Sequence, residues 1–131
     1  MQQVVLWKNE PDEHDYPAAA AYLSLLGAGE AVTALVAALR AVPISHGTAK
    51  DLLRASRLEL LPADNQHVVK DIHKVRDGRL LSPVLLVRGD LAGNLPLVVA
   101  DGYHRICASY HLAEDTDIPC KLVGLPTIAP R

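Results

Sequence analysis

A short run near the C-terminal end of the sequence contains residue types that can do chemistry. It reads Val98-Val99-Ala100-Asp101-Gly102-Tyr103-His104-Arg105. The pattern predicts a buried strand that ends near Asp101, a turn at Gly102, and a helix with His104 and Arg105 in its first turn. The first amides of a helix have no internal partner and carry partial positive charge, so anions bind there. The run therefore predicts a site for an anion such as phosphate.

The side chains of this turn could assist an anion in different ways. Gly102 lacks a Cβ and lets a ligand approach the backbone, whereas Arg105 can hold phosphate oxygens through two parallel hydrogen bonds. His104 can donate to an oxygen or relay a proton. Cationic side chains at a helix N-terminus interact unfavourably with the helix dipole, and a bound anion would offset this cost. Asp101, acting as the N-cap, could offset them equally well, so a purely structural interpretation stays open.

Two further basic residues, Lys50 and Arg54, stand four positions apart on the predicted helix Ala49–Ala55 and share one face of it. They form either a second cationic arm of the phosphate pocket or a solvated face, with Asp51 as a nearby countercharge. The six histidines are scattered, with no HExxH pattern and no paired cysteines. A metal is therefore expected only as Mg²⁺ that accompanies a nucleotide, held by Asp101 and phosphate oxygens.

Residues 1–45 are predicted to form an N-terminal helical extension. Pro17 suits a first helical turn, and Gly27-Ala28-Gly29 separates two helices. The second helix, Glu30–Arg40, has one apolar face that is made of Val32, Leu35, Val36 and Leu39. This helical hairpin either covers one side of the domain or forms the surface of a homodimer through its alanine-rich helices.

Residues 46–131 are predicted to form a second unit in which strands and helices are mixed, which makes the fold class α+β, or mixed α/β. The two apolar runs around the polar connection 88–94 are predicted to form a β-hairpin. Asp64 or Asn65 is expected to cap the helix that Gly78 ends. The predicted elements are a helix at Ala49–Ala55, a strand at Arg57–Leu61, a helix from Asn65 to about Val75, strands at Pro83–Val87 and Leu95–Ala100, a helix at His104–Leu112 and a strand at Ile118–Val123.

The composition sets limits on function. Half of the 131 residues are hydrophobic and 21% are charged, which excludes a disordered chain. The net charge of −2 argues against a nucleic-acid coat and a polybasic membrane tether. The apolar stretch Ala18–Leu39 contains Glu30 and many alanines, so we expect soluble helices and no membrane span. Cys107 and Cys120 are expected to be reduced thiols, and the protein to be cytoplasmic.

The stretch from about Ser56 to Val123 resembles the ParB/sulfiredoxin-like fold family. The resemblance is carried by Leu58-Glu59-Leu60-Leu61-Pro62, by the helix near Asn65 to Val75, by Pro83-Val84-Leu85-Leu86-Val87, and above all by Asp101-Gly102-Tyr103-His104-Arg105. It implies a small sheet with flanking helices, and nucleotide phosphates bound on a Gly-x-His-Arg turn. ATP or ADP with Mg²⁺ is the cofactor that this resemblance implies.

Carried over to this chain, the resemblance places Gly102, His104 and Arg105 at the phosphate site. Asp101 matches the acidic residue before the glycine in kinase-like members, and Lys50 or Arg54 matches a basic residue that reaches the phosphates. Tyr103 stands where sulfiredoxins have a reactive cysteine, so sulfinic-acid reduction is not expected. The candidate binding residues are thus Lys50, Arg54, Gly102, Tyr103, His104 and Arg105, and the candidate catalytic residues are Asp101 and His104.

These observations lead to three hypotheses. The first is a nucleotide- or phosphate-binding protein that acts as a phosphotransferase or a nucleotide hydrolase, with Asp101 as the base or the Mg²⁺ ligand. The second is a non-catalytic module that senses a nucleotide or a phosphorylated metabolite, or that docks a protein partner. The third is a ParB-like nuclease, which the acidic charge balance disfavours. Chromosome partitioning is not expected, since the sequence shows no helix-turn-helix domain after the motif.

Overall fold

The chain folds around a four-stranded mixed sheet with helices on both sides, in a computed structural model that describes residues 4–124. The predicted α+β class is confirmed. In chain order, the elements are α1 (Asp15–Leu23), α2 (Gly29–Ala41), β1 (Ser45–Thr48), α3 (Ala49–Ser56), α4 (Gln66–Arg76), β2 (Val84–Val87), β3 (Val98–Asp101), α5 (Tyr103–Leu112) and β4 (Asp117–Val123).

The strands lie in the order β1-β4-β2-β3. The central strand β4 is antiparallel to β1 and parallel to β2, with Val84 opposite Cys120 and Leu86 opposite Leu122. Strands β2 and β3 are antiparallel neighbours, which confirms the predicted hairpin. Since β3 is an edge strand, its final residue, Asp101, and the α5 helix that follows lie at one corner of the sheet.

The two faces of the sheet carry two separate hydrophobic clusters. All four residues of β2 are buried, and they alternate between the clusters because successive side chains of a strand point to opposite faces. Val84 and Leu86 pack with residues of α3, α4 and α5, among them Leu53, Ile72 and Ile106. The other face packs against α1 and α2 and contains Tyr16, Ala19, Leu35, Leu39, Leu85, Val87 and Val123.

The N-terminal helices use their apolar stripe against the sheet. Val32, Leu35 and Leu39 are buried, as the helical spacing predicts, and Val36 packs beside them. The helical pair therefore covers one side of the sheet. Among the residues that the structure describes, no helix combines the length and the apolar character that crossing a bilayer requires.

One predicted strand is wrong, and one observed strand was not predicted. Arg57–Leu61 forms no strand, because Arg57 ends α3 in the left-handed conformation at a φ of 59° and the chain then runs to Pro62 outside the sheet. The missed strand is β1, whose sequence Ser-His-Gly-Thr has no apolar alternation. It lies at the edge of the sheet and pairs only with β4, and a strand at this place does not need a buried apolar face.

The ends of α4 confirm two local predictions. The Asn65 side chain accepts hydrogen bonds from the amides of His67 and Val68, as an N-cap residue does. Gly78 follows the helix with a φ of 74°, a left-handed conformation that glycine adopts without strain.

Leu39→Ala tests whether packing on the sheet is the main role of the N-terminal helices. Leu39 is completely buried between α2 and the sheet, so its truncation should lower the free energy of unfolding by about 2–5 kcal/mol. The matched control is Leu25→Ala, because the Leu25 side chain is 80% exposed and its truncation should change stability by less than about 0.5 kcal/mol. Urea denaturation measures both. Equal losses for the two variants would contradict this packing.

Candidate functional site

A polar cleft of about 360 Å³ lies where β3 ends and α5 begins. It is formed by the β3–α5 turn, α4 and the segments before α1 and β2. The residues that line it are Lys8, Asp12, His14, Asp71, Lys74, Arg79, Leu80, Leu81, Ser82, Asp101, Gly102, His104 and Arg105. The structure thus brings four residues of the predicted motif, Asp101, Gly102, His104 and Arg105, to one cleft.

Gly102 is the N-cap of α5, and no side chain caps the helix there. Its φ is 115°, and a Cβ at this position would collide with the side chain of Val84, so only glycine fits. The first intrahelical bond joins the Ile106 amide to the Gly102 carbonyl at 3.0 Å. The amides of the three residues before Ile106 therefore precede the helical ladder and are available to a ligand. Asp101 does not act as the N-cap, which was the structural alternative.

Arg105 is held by two carboxylates of the protein itself. Its Nη2 donates to Asp101 Oδ2 at 2.9 Å, and its Nη1 lies 3.7 Å from Asp15 Oδ2. Asp15 is only 2% exposed and also accepts a hydrogen bond from the Ser82 hydroxyl. Arg105 lines the cleft, and phosphate binding by its guanidinium stays a prediction. Its guanidinium lies in the cleft wall, but its charge is already paired within the fold.

Burial raises the pKa of Asp101, and the neighbouring Asp15 carboxyl raises it further, whereas Arg105 acts in the opposite direction. Asp101 is a poor ligand for Mg²⁺, because its Oδ2 already accepts from Arg105, which leaves one carboxylate oxygen for an ion. A divalent cation there would also face the guanidinium charge. Among the described residues, the group that could supply three metal ligands is Asp12, His14 and Asp15, which does not include Asp101. In that group, Asp12 is paired with Lys8 at 2.7 Å.

His104 enters the cleft from the first turn of α5 beside a second imidazole. Its ring centroid lies 4.7 Å from that of His67 on α4. Desolvation lowers the pKa of His104, and the nearby His67 lowers it further. His104 is therefore neutral at pH 7 and can offer one N–H donor and one acceptor nitrogen.

Tyr103 is turned away from the cleft. Its hydroxyl donates to the backbone carbonyl of Glu59, and its ring stacks on His104 with 5.7 Å between centroids. Tyr103 thus ties the start of α5 to the segment after α3 and does not line the cleft. Its predicted role as a binding residue is limited to its backbone amide.

The structure does not bring Lys50 and Arg54 to the cleft. Lys50 pairs with Asp115 at 2.8 Å, and Arg54 with Asp51 at 3.3 Å. The Lys50 amide also bonds to the Glu114 carbonyl, just beyond the C-terminal end of α5. The cleft lies at the other end of this ten-residue helix, about 15 Å away. The prediction of a second cationic arm is therefore wrong for these two residues.

The cations that do line the cleft were missed by the sequence analysis. Lys74 Nζ lies 4.0 Å from Asp71 Oδ1, and Lys8 pairs with Asp12. Within residues 4–124, Arg79 makes no ion pair. Lys74 lies in the last turn of α4, where basic residues are ordinary because they complement the helix dipole. Sequence therefore offered no signal that tertiary packing would direct these cations toward the β3–α5 turn.

Comparisons with known proteins add no assignment to this site. No protein-family model, curated protein or solved structure matches the chain.

The carboxyl group of Asp71 forms part of the cleft wall, and burying its charged form lowers the stability of the fold. Its side chain is 13% exposed, and burial raises its pKa, although Lys74 acts in the opposite direction. Because the pKa is higher in the folded state than in the unfolded chain, Asp71 stabilises the fold below its ordinary pKa of 3.8 and loses that contribution as the pH rises through the folded value.

Asp71→Asn should therefore become more stable relative to the parent protein as the pH rises from 3 to 7, because asparagine does not ionise. Urea denaturation at several pH values measures this trend. The control is Asp64→Asn, which removes an exposed carboxylate outside the cleft. A relative stability of Asp71→Asn that falls over this pH range would show that the carboxylate is stabilised in its charged form.

Proposed function

We propose that the protein binds a small molecule that carries phosphate, either a nucleotide or a phosphorylated metabolite, in the cleft at the start of α5. The observation that carries this proposal is the uncapped N-terminus of α5, which opens onto a cleft that Lys74 and Arg79 also line. Free helix amides and positive charge are the two features that anion sites combine.

The division of tasks among the residues follows from their existing partners. The amides at the start of α5 and the Arg79 guanidinium would bind the phosphate oxygens, because Arg79 has no ion pair within the described chain. Lys74 is 4.0 Å from its nearest carboxylate oxygen and would reorient at little cost. His104 would donate one neutral N–H. Charge-assisted hydrogen bonds contribute roughly 1.5–3 kcal/mol each, so three or four of them would give micromolar binding.

Binding without turnover is the form that the surroundings of Asp101 favour. Asp101 is the base that a phosphotransferase or a hydrolase would use, and His104 the proton relay, yet the Asp101 carboxylate accepts from Arg105 at 2.9 Å. The raised pKa of Asp101 and its place beside His104 in the cleft support the enzymatic form as the second candidate.

Membership of the ParB/sulfiredoxin-like family is part of the same proposal, supported by the Asp101–Arg105 motif between β3 and α5. A cytoplasmic location belongs to it as well. A homodimer through the N-terminal helices would have to use residues such as Leu25 and Leu26, which are exposed where α1 and α2 meet, because the apolar stripe of α2 is buried on the sheet.

Calorimetric titration with ATP, ADP and inorganic phosphate tests the proposal. Arg79→Gln and Lys74→Gln should each weaken binding about tenfold, the effect of losing one charge-assisted hydrogen bond. Lys50→Gln is the matched control, since it removes a cation at the far end of α5 and should leave affinity unchanged. Binding should persist in EDTA, because the groups proposed to hold the phosphate are helix amides and cationic side chains of the protein itself.

Absence of binding by all three compounds would overturn the proposal, and so would an equal loss of affinity in the Lys50 control. Product analysis after incubation with ATP then separates the two forms of the proposal. Release of phosphate, or its transfer to a member of a broad acceptor panel, that His104→Ala and Asp101→Asn abolish would establish the enzymatic form, and binding with neither of these would establish the sensor.

A further inference from the structure

A second and larger concavity lies at the opposite end of the sheet from the cleft. It has a volume of about 830 Å³ and adjoins the connection between β2 and β3, whereas the cleft adjoins the last residue of β3. Its floor contains Leu86, Cys120 and Leu122 from the two central strands. We name this concavity the hairpin groove, after the β2–β3 connection that forms one of its walls.

The walls of the hairpin groove are fixed by contacts within the fold. Gly89 allows the two sides of the connection to approach closely, because a Cβ there would collide with the backbone of Leu95 and Pro96. The other wall is the α3 helix, and the Arg57 guanidinium donates to the Asn94 side-chain oxygen across the gap. The groove is therefore preformed, as most small-molecule sites are.

Positive charge borders the apolar floor of the groove. Arg57 bonds to an amide oxygen, which does not neutralise its charge, and the exposed Arg88 makes no ion pair within residues 4–124. Arg54 pairs with Asp51, whereas Asp90 keeps its negative charge while it accepts from the Ala92 amide at 3.1 Å. The groove is thus lined by three arginines and two aspartates, so its net charge is positive.

We propose that the hairpin groove is a second binding site, for a small carboxylic acid with a hydrocarbon body. The hydrocarbon would cover Leu86, Cys120 and Leu122, and the carboxylate would face Arg88 and Arg57. An apolar floor beside two guanidinium groups, in a lining with a net positive charge, is complementary to this class of ligand, because guanidinium pairs with carboxylate in a bidentate geometry. The volume lies within the range of about 300–1,000 Å³ that is usual for small-molecule sites.

Decanoate, titrated below its micelle concentration into the intact chain, tests this proposal. Arg88→Gln should weaken decanoate binding about fivefold, as expected for one exposed charge pair. Ala55→Trp should abolish binding, because Ala55 is an exposed residue of α3 that lines the groove and a large ring there would fill it. Decanol and decylammonium, which share the chain but lack the negative charge, should bind more weakly than decanoate.

The matched control is Arg76→Gln, which removes an arginine of α4 that does not line the groove and should leave binding unchanged. His104→Ala should also leave it unchanged, which distinguishes this site from the phosphate cleft. No binding of decanoate, or equal affinity for decanol, would overturn the proposal. So would decanoate binding that persists in a folded Ala55→Trp variant. Circular dichroism verifies folding, and the Arg88→Gln result keeps the test decisive if Ala55→Trp fails to fold.

Discussion

The ion pairs of Arg105 are the constraint on which the rest of the site depends. The guanidinium lies between Asp101, at the end of β3, and Asp15, at the start of α1. Both the guanidinium and the Asp15 carboxylate are largely removed from water, so each charge requires its partners. The Ser82 hydroxyl completes the arrangement, since it accepts from the Asp12 amide and donates to Asp15. Segments distant in sequence are thereby held around the start of α5.

This constraint decides how the β3–α5 turn can serve function. A cation in the first turn of a helix opposes the helix dipole, and the two acidic residues offset that cost for Arg105 without any ligand. Because Asp101 and Asp15 bind Arg105, they do not cap the helix, and the first amides of α5 remain accessible to a ligand. In the proposed function, recognition of an anion would therefore depend on cations outside the motif, of which Arg79 is the one without an ion pair in the described chain.

Sequence predicts what local patterns determine. The helical stripe of α2, the Asn65 cap, the β2–β3 hairpin and the Gly102 turn each depend on residues close together in the chain, and the structure contains all four. The strand β1 escaped prediction because it is a short polar edge strand. The ion pair between Arg105 and Asp15 could not be predicted from the sequence, because the two residues are 90 positions apart and no local pattern links them. Tertiary packing likewise separates Lys50 from the cleft and places Arg79 in it.

The central claim is that Arg105 is part of the framework and that Asp15 is its partner. A double-mutant cycle with Asp15→Asn, Arg105→Gln and the combined variant measures the interaction directly, through the free energy of unfolding in urea. We predict that the losses are not additive, so that the combined variant loses at least about 1 kcal/mol less than the sum of the two single losses. Additivity to within about 0.5 kcal/mol would show that the two side chains act independently, which would contradict this account.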